Sequence, residues 1–281
     1  MGEKYKYENL TWPEVNEAVE KGLIPILPVG TTEQHGPHLP VKMDSWSARS
    51  IAHETAKRRP DRLLVMPPIH YGYTTHVMDF PGSITVHHET FIRYVVDVLK
   101  SIAYHGFKKI IMVNGHGSNM PPLELAARRA ILETDAIVSW GSWWQFTLAD
   151  PEFMKKWREG PMPGGSAHSG ESETSLALYL DESLVKMDEA TNDQTWTNEQ
   201  ESKFTWVDLY AAGPVSVSNW SSTYMEKGIA GWAAEGTKEK GEMLFEEAVT
   251  RIIEWADEFH AREFPPRVDH HTRKPTTDLP G

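Results

Sequence analysis

There is no cysteine anywhere in the 281 residues. Disulfides, thiol nucleophiles and thiolate-held zinc are excluded together, so any metal must rest on His, Asp and Glu. Basic charge is also short: 28 Lys and Arg face 40 Asp and Glu, for a net charge of -12. Nucleic-acid binding depends on a basic surface, so no nucleic-acid partner is expected. No apolar run approaches the roughly 18 residues that a spanning helix needs. The stretch after Met1, "GEKYKYENLTW", is polar and aromatic rather than an apolar leader. The expectation is a cytoplasmic protein with no membrane partner. A G-x-S-x-G elbow is missing as well, which leaves a metal-free serine enzyme with little support. Internal repeats, Ser/Gly linkers and composition breaks are absent too. One domain over residues 1–264 is therefore expected, followed by an irregular, Pro-, His- and charge-rich tail at 265–281.

What is present is an alternation of strands and helices. "TWPEVNEAVEKG" reads as a helix with Thr11 as N-cap, Pro13 in the first turn and Gly22 past the end. "LIPILPVG" (Leu23–Gly30) is a short apolar strand closed by glycine. Helical patterns follow at Asp44–Arg59, Thr85–Gly106, Pro121–Asp135, Ser172–Val185 and Glu239–Glu263. Strand patterns lie in "RLLVMPPIHYG", "KKIIMV" and "AIVSWGSWWQF". This order predicts an α/β fold: a single domain with a mostly parallel sheet flanked by helices. Asp188–Trp232 is polar with scattered Trp, and reads as a long excursion near a site or an interface.

Four groups of chemistry-bearing residues fall at predicted strand ends, where α/β proteins place their ligands. The first is Glu33-x-His35, with Asp44 nine residues on. The second is Asn114-Gly115-His116-Gly117. The third is "AHSGESETS", with His168, Glu171 and Glu173. The fourth is His76 in the loop "GYTTHVMDFPGS". A Glu-x-His pair in a loop is ordinarily solvated, and a lone histidine is ordinarily a cap or a core residue. Together, imidazoles and carboxylates at neighbouring strand ends suit Zn, Mn or Fe(II), and carboxylates can bridge two ions.

At these residues the sequence resembles the creatininase (creatinine amidohydrolase) family. The family pattern G-[ST]-T-E-Q-H-G-P-H-L-P, then Asp, stands here as Gly30 to Pro40, then Asp44. N-G-H-G-x-N stands as Asn114 to Asn119, H-x-G-E-x-E-T-S as His168 to Ser175, and the H…FPG[ST] loop as His76 to Ser83. The four occur in family order and span most of Gly30–Tyr179.

The resemblance implies two divalent metal ions per chain. Glu33, Asp44 and His116 would hold one, Asp44 would bridge, and His35 would bind the second. Creatininase itself places a metal-binding Glu two residues after the N-G-H histidine. Here Ser118 stands there, so Glu171 is the expected substitute and Ser118 becomes a substrate contact. This departure points to a non-creatininase branch, among deformylases, peptide-processing enzymes and ring-ketone hydrolases. His168 matches the catalytic histidine that shuttles a proton to the leaving nitrogen. Glu173 would orient His168 or cap the following helix. His76, Trp143 and Trp144 would face the substrate.

The expected activity is cleavage of a C–N bond in a small cyclic amide or formamide, by a hydroxide shared between the metals. Hydrolysis of a cyclic ketone or lactone, in sugar or cyclitol breakdown, is the alternative. A module with a structural metal is the alternative of another class. The partners expected are a small-molecule substrate and copies of the same chain, in a homo-oligomer with the hexamer as the family's pattern.

Overall fold

Every α-helix that the periodicity marks is present in the computed structural model, which describes residues 3–193 and 202–277. Helix α1 (Trp12–Glu20) opens with a capping box: the Thr11 side chain meets the amide of Glu14, whose carboxylate returns to the Thr11 amide at 2.8 Å. Strands β1 (Ile24–Val29), β2 (Leu63–Val65), β3 (Lys109–Asn114) and β4 (Ile137–Ser142) form one parallel sheet in the order β2-β1-β3-β4. Helices α2 (Met43–Arg58), α3 (His88–Tyr104) and α4 (Met120–Glu133) make the crossovers.

Side chains alternate across the sheet, and both faces are buried. Ile24, Ile26, Ile111 and Val113 face a core shared with α2, α7 (Glu171–Asp181) and α8 (Lys238–Ala261). Leu27, Val29, Ile110 and Met112 face a second core with α3 and α4. Continuous apolar strands such as "IIMV" follow from this two-sided burial. β1 keeps a central place despite Pro25 and Pro28, and the Pro28 carbonyl still accepts from the Ile69 amide at 3.0 Å. The predicted mostly parallel α/β sheet is what the chain forms.

"AIVSWGSWWQF" divides where the prediction kept one strand. It leaves the sheet at Ser142, whose side chain caps the short helix α5 (Trp143–Thr147). After a further short helix, α6 (Met154–Trp157), a small antiparallel sheet follows. It consists of β5 (Ser166–His168), β6 (Asn192–Asp193) and β7 (Ala230–Trp232), in the order β5-β7-β6. Part of the Asp188–Trp232 excursion thus supplies β6 and β7, while residues 194–201 lie outside the described residues. No helix or strand occurs in residues 263–277. No helix among the described residues is long and apolar enough to cross a membrane.

Candidate metal centre

The carboxyl ends of β1 and β3 converge on the first turn of α2. β1 ends at Val29 and its loop carries Glu33 and His35. β3 ends at Asn114 and its loop carries His116, while Asp44 sits in the first turn of α2. Glycine permits the approach. A Cβ on Gly115 would lie 2.1 Å from the Asp44 carbonyl oxygen, so no other residue brings β3 this close to α2. Asn114 and Asn119 brace the loop: Asn114 donates to the His116 carbonyl, and Asn119 donates to the Gly30 carbonyl at 3.1 Å.

Two groups of metal-ligand type result, Glu33–Asp44–His116 and His35–His168–Glu173. Asp44 joins them. One of its oxygens lies 3.1 Å from His116 Nδ1 and the other 3.1 Å from His35 Nε2. His116 Nδ1 is also 2.8 Å from Glu33, and His35 Nε2 is 3.6 Å from Glu173. All but His168 are at most 5% exposed.

The far nitrogen of each ring decides what the near one can do. His35 Nδ1 donates to the Glu33 carbonyl at 3.1 Å, and His116 Nε2 donates to the Tyr73 carbonyl at 3.1 Å. A histidine held this way presents its other nitrogen as a ligand, the arrangement typical of metal-bound imidazole. Those other nitrogens face carboxylates, and Glu33 Oε2, Asp44 Oδ2 and His35 Nε2 are buried with no partner outside the cluster itself. Three carboxylates and two imidazoles pressed together balance only with added positive charge, from protons on the rings or from divalent cations. The donor set, all nitrogen and oxygen, fits the latter.

The electrostatics agree. Burial disfavours a charge on His116, but Glu33 and Asp44 overcome it and hold the ring at about 10. Burial also opposes the imidazolium of His35, and Asp44 and Glu173 still raise it well above its ordinary value. Glu33 is held well below the usual carboxylate range: burial works the other way, but the charge and hydrogen bond of His116, with the charge on His35, prevail. His168 differs. Burial first, then the charge on His35, lowers it below its ordinary value, which favours the neutral ring.

Glu171, the expected fifth ligand, points elsewhere. Its fully buried carboxylate accepts from Lys240 Nζ at 2.8 Å and from the amides of Glu159 at 2.9 Å and Gly160 at 2.7 Å. Glu173 faces His35 instead, its second oxygen accepting from the Ser169 amide at 2.6 Å. Residues two apart on a helix do not share a face, so only one of the pair can turn to the site. Trp143 and Trp144 also depart from expectation. They are 0% and 3% exposed, stack edge-to-face at 5.5 Å, and belong to the core against α8 rather than to the site's walls. Their short helix turns them inward as soon as β4 ends.

Beside the cluster lies a cavity of about 180 Å3. His168, His76 and Ser118 line it as predicted, with Ser118 Oγ 3.3 Å from His76 Nε2. Val207, Leu209, Tyr224 and Met225 complete the wall, so the excursion does border the site. Sequence reasoning did not single these out, having no motif there. An Arg158–Asp208 pair anchors that wall: Asp208 also accepts from the Gly164 amide at 2.7 Å and the Tyr210 amide at 3.0 Å. Gln34 was missed as well. Its backbone carbonyl lies 2.9 Å and its side-chain amide 3.1 Å from His168 Nε2, and the same amide donates to the Gly228 carbonyl. A larger groove of about 400 Å3 lies between β4 and α8. Neither candidate metal group is among its lining residues.

A family model described as creatininase, creatinine amidohydrolase, matches residues 8–256. The 3-dehydro-scyllo-inosose hydrolase of Thermotoga maritima is 26% identical, over 97% of this chain and 90% of that protein. The creatinine amidohydrolase of Pseudomonas putida is 28% identical, over 92% of this chain and 96% of that protein. A solved structure described as creatininase Mn superposes with a TM-score of 0.76 at 27% identity, covering 92% of this chain and 99% of that one.

Proposed function

The chain belongs to the creatininase family of hydrolases, and from that premise we propose that it cleaves a C–N bond in a small cyclic amide or formamide with the help of two divalent cations. The observation that carries the reading is the pair of rings whose outer nitrogens are tied to backbone carbonyls while their inner nitrogens face Glu33, Asp44 and Glu173. Glu33, His116 and Asp44 would hold one cation, and His35, Asp44 and Glu173 the other, with zinc, manganese or iron as candidates. Cations bound there would lower the pKa of water and polarise a carbonyl oxygen.

The chain's own residues do the rest. The Gln34 carbonyl lies nearer His168 Nε2 than the Gln34 side-chain amide does, 2.9 against 3.1 Å, and with the Nε2 proton on that carbonyl Nδ1 keeps an open lone pair. With the neutral ring favoured by burial, that nitrogen accepts a proton and passes it to the departing nitrogen. His76 and Ser118 offer a neutral hydrogen-bonding pair to the substrate, and Val207, Leu209 and Met225 keep water from the rest of it. The cavity admits a small molecule and its lining includes no Lys or Arg.

A second reading, hydrolysis of a ring ketone or lactone, has its own support. The Thermotoga relative, named for a ring ketone, matches 97% of the chain, and Ser118 stands where creatininase carries a metal-binding Glu. A cytoplasmic homo-oligomer, with a hexamer as the form to test by sedimentation, belongs to the same proposal.

The test is elemental analysis of purified wild type and Asp44→Ala, followed by a panel of cyclic amides, formamides, lactones and ring ketones. About two metal equivalents in wild type, both lost in the variant, are expected. Zero metal after reconstitution, or a single ion indifferent to Asp44, would sink the mechanism.

A further inference from the structure

His38 belongs to the opening motif, yet none of the chemistry above uses it. It is 1% exposed and reaches across to α7, where its Nε2 lies 2.9 Å from Thr174 Oγ1. That hydroxyl lies 3.4 Å from the Ser169 carbonyl oxygen. A carbonyl only accepts, so Thr174 gives its one proton to Ser169 and accepts from His38. The sense that satisfies both contacts is His38 Nε2–H to Thr174 and Thr174 O–H to Ser169, with His38 Nδ1 left buried and unpartnered.

Ser169 is itself unusual. Its φ of +53° is the only positive value at a non-glycine residue among the described residues. A side chain with a Cβ resists that conformation, so the surroundings must hold it. Its peptide groups reach both ways. The carbonyl is gripped by Thr174, and the amide donates to Glu173 Oε2 at 2.6 Å. The other oxygen of Glu173 faces His35. An apolar pair would fill the same space without burying an imidazole and a hydroxyl, whose burial is offset only by the bonds they make.

We propose that His38 and Thr174 are positioning residues: they hold Ser169 in its strained turn, so that its amide keeps Glu173 aimed at His35. The inference rests on the reading that Glu173 and His35 share a divalent cation.

The test is calorimetric titration of metal-stripped protein with Mn2+ alone. Wild type is compared with Thr174→Val, which keeps the shape, and Thr174→Ser, which keeps the hydroxyl. His38→Leu and His38→Gln, the latter keeping an N–H donor, form a second pair should the valine variant fail to fold. Thr174→Val and His38→Leu are expected to weaken one of two binding steps by about 10–100-fold, the usual effect of losing a group that orients a ligand. The other step stays at its wild-type affinity, and Thr174→Ser restores both. Two wild-type steps in Thr174→Val would overturn the inference and leave the metal reading intact. Equal weakening of both steps in valine and serine variants alike would mark a packing role and overturn it too. Fewer than two equivalents in wild type would remove the metal reading, and this inference with it.

Discussion

Replacing Glu171 with Gln separates a ligand from a structural ion pair. Glu171 is fully buried, and Lys240 is 7% exposed. Gln keeps the size of the side chain and one acceptor for the Glu159 and Gly160 amides, but removes the charge facing Lys240. Stripping one partner from a buried pair costs about 3–5 kcal/mol. Lys240 retains the Glu235 carbonyl at 2.8 Å and the solvent-screened Glu159 carboxylate at 3.1 Å, so the low end, about 3 kcal/mol, applies. For a chain of 281 residues that is a fall in Tm of about 5 °C. Urea and thermal unfolding of the metal-stripped protein would measure it, alongside metal content after reloading. Glu171→Gln should lose stability and keep two equivalents. Glu173→Gln should lose one equivalent. Adding Lys240→Met to Glu171→Gln should recover most of the loss, because the stranded charge is then gone. A Glu171→Gln protein that unfolds like wild type but has lost a metal would refute the assignment of the two glutamates.

Two further outcomes follow from the same geometry. Asp208→Asn strands Arg158 in a pair that is 5% and 0% exposed, and should cost about 3 kcal/mol in denaturant unfolding. Because Val207 and Leu209 flank it in the cavity wall, steady-state kinetics on the best substrate of the panel should show KM rising more than kcat falls. Metal uptake should also release protons. His116 is held at about 10 and His35 well above its ordinary value, so both carry protons at pH 7 that a cation must displace. Affinity should then rise with pH from 7 toward 10, by about tenfold per unit for each proton released. A pH-independent titration in weak buffer would count against the cluster as the binding site.

Much of the site could be read from residue types and spacing. Glu33, His35, Asp44 and His116 meet because each sits just past the carboxyl end of a strand or in a helix's first turn, positions that hydrophobic periodicity locates, while His168 ends β5, a three-residue strand that periodicity did not mark. The choice between Glu171 and Glu173 was half legible. Helix geometry allows only one of them to face His35, but which one depends on Lys240, about seventy residues on. A trace of that partner does stand in the sequence. Lys240 occupies the otherwise apolar stripe of α8 that continues through Leu244, Phe245 and Ala248, where a buried lysine must have a counter-charge. Trp143 and Trp144 were misread because a strand pattern continues through "SWWQF", and only the capping of α5 by Ser142 turns the chain inward.

The sequence by itself determined the parallel α/β layers and the strand-end placement of the acidic and imidazole side chains. Both follow from local periodicity and from the two-sided burial of short apolar strands. Tertiary structure alone decided which nitrogen of each histidine faces the carboxylates, which glutamate joins them, and which loop closes the cavity. Those depend on hydrogen bonds to backbone carbonyls and on ion pairs between residues far apart in the chain, such as Glu171 with Lys240 and Arg158 with Asp208. Local pattern carries no record of such partners, because their cost and their compensation exist only once the groups are buried together.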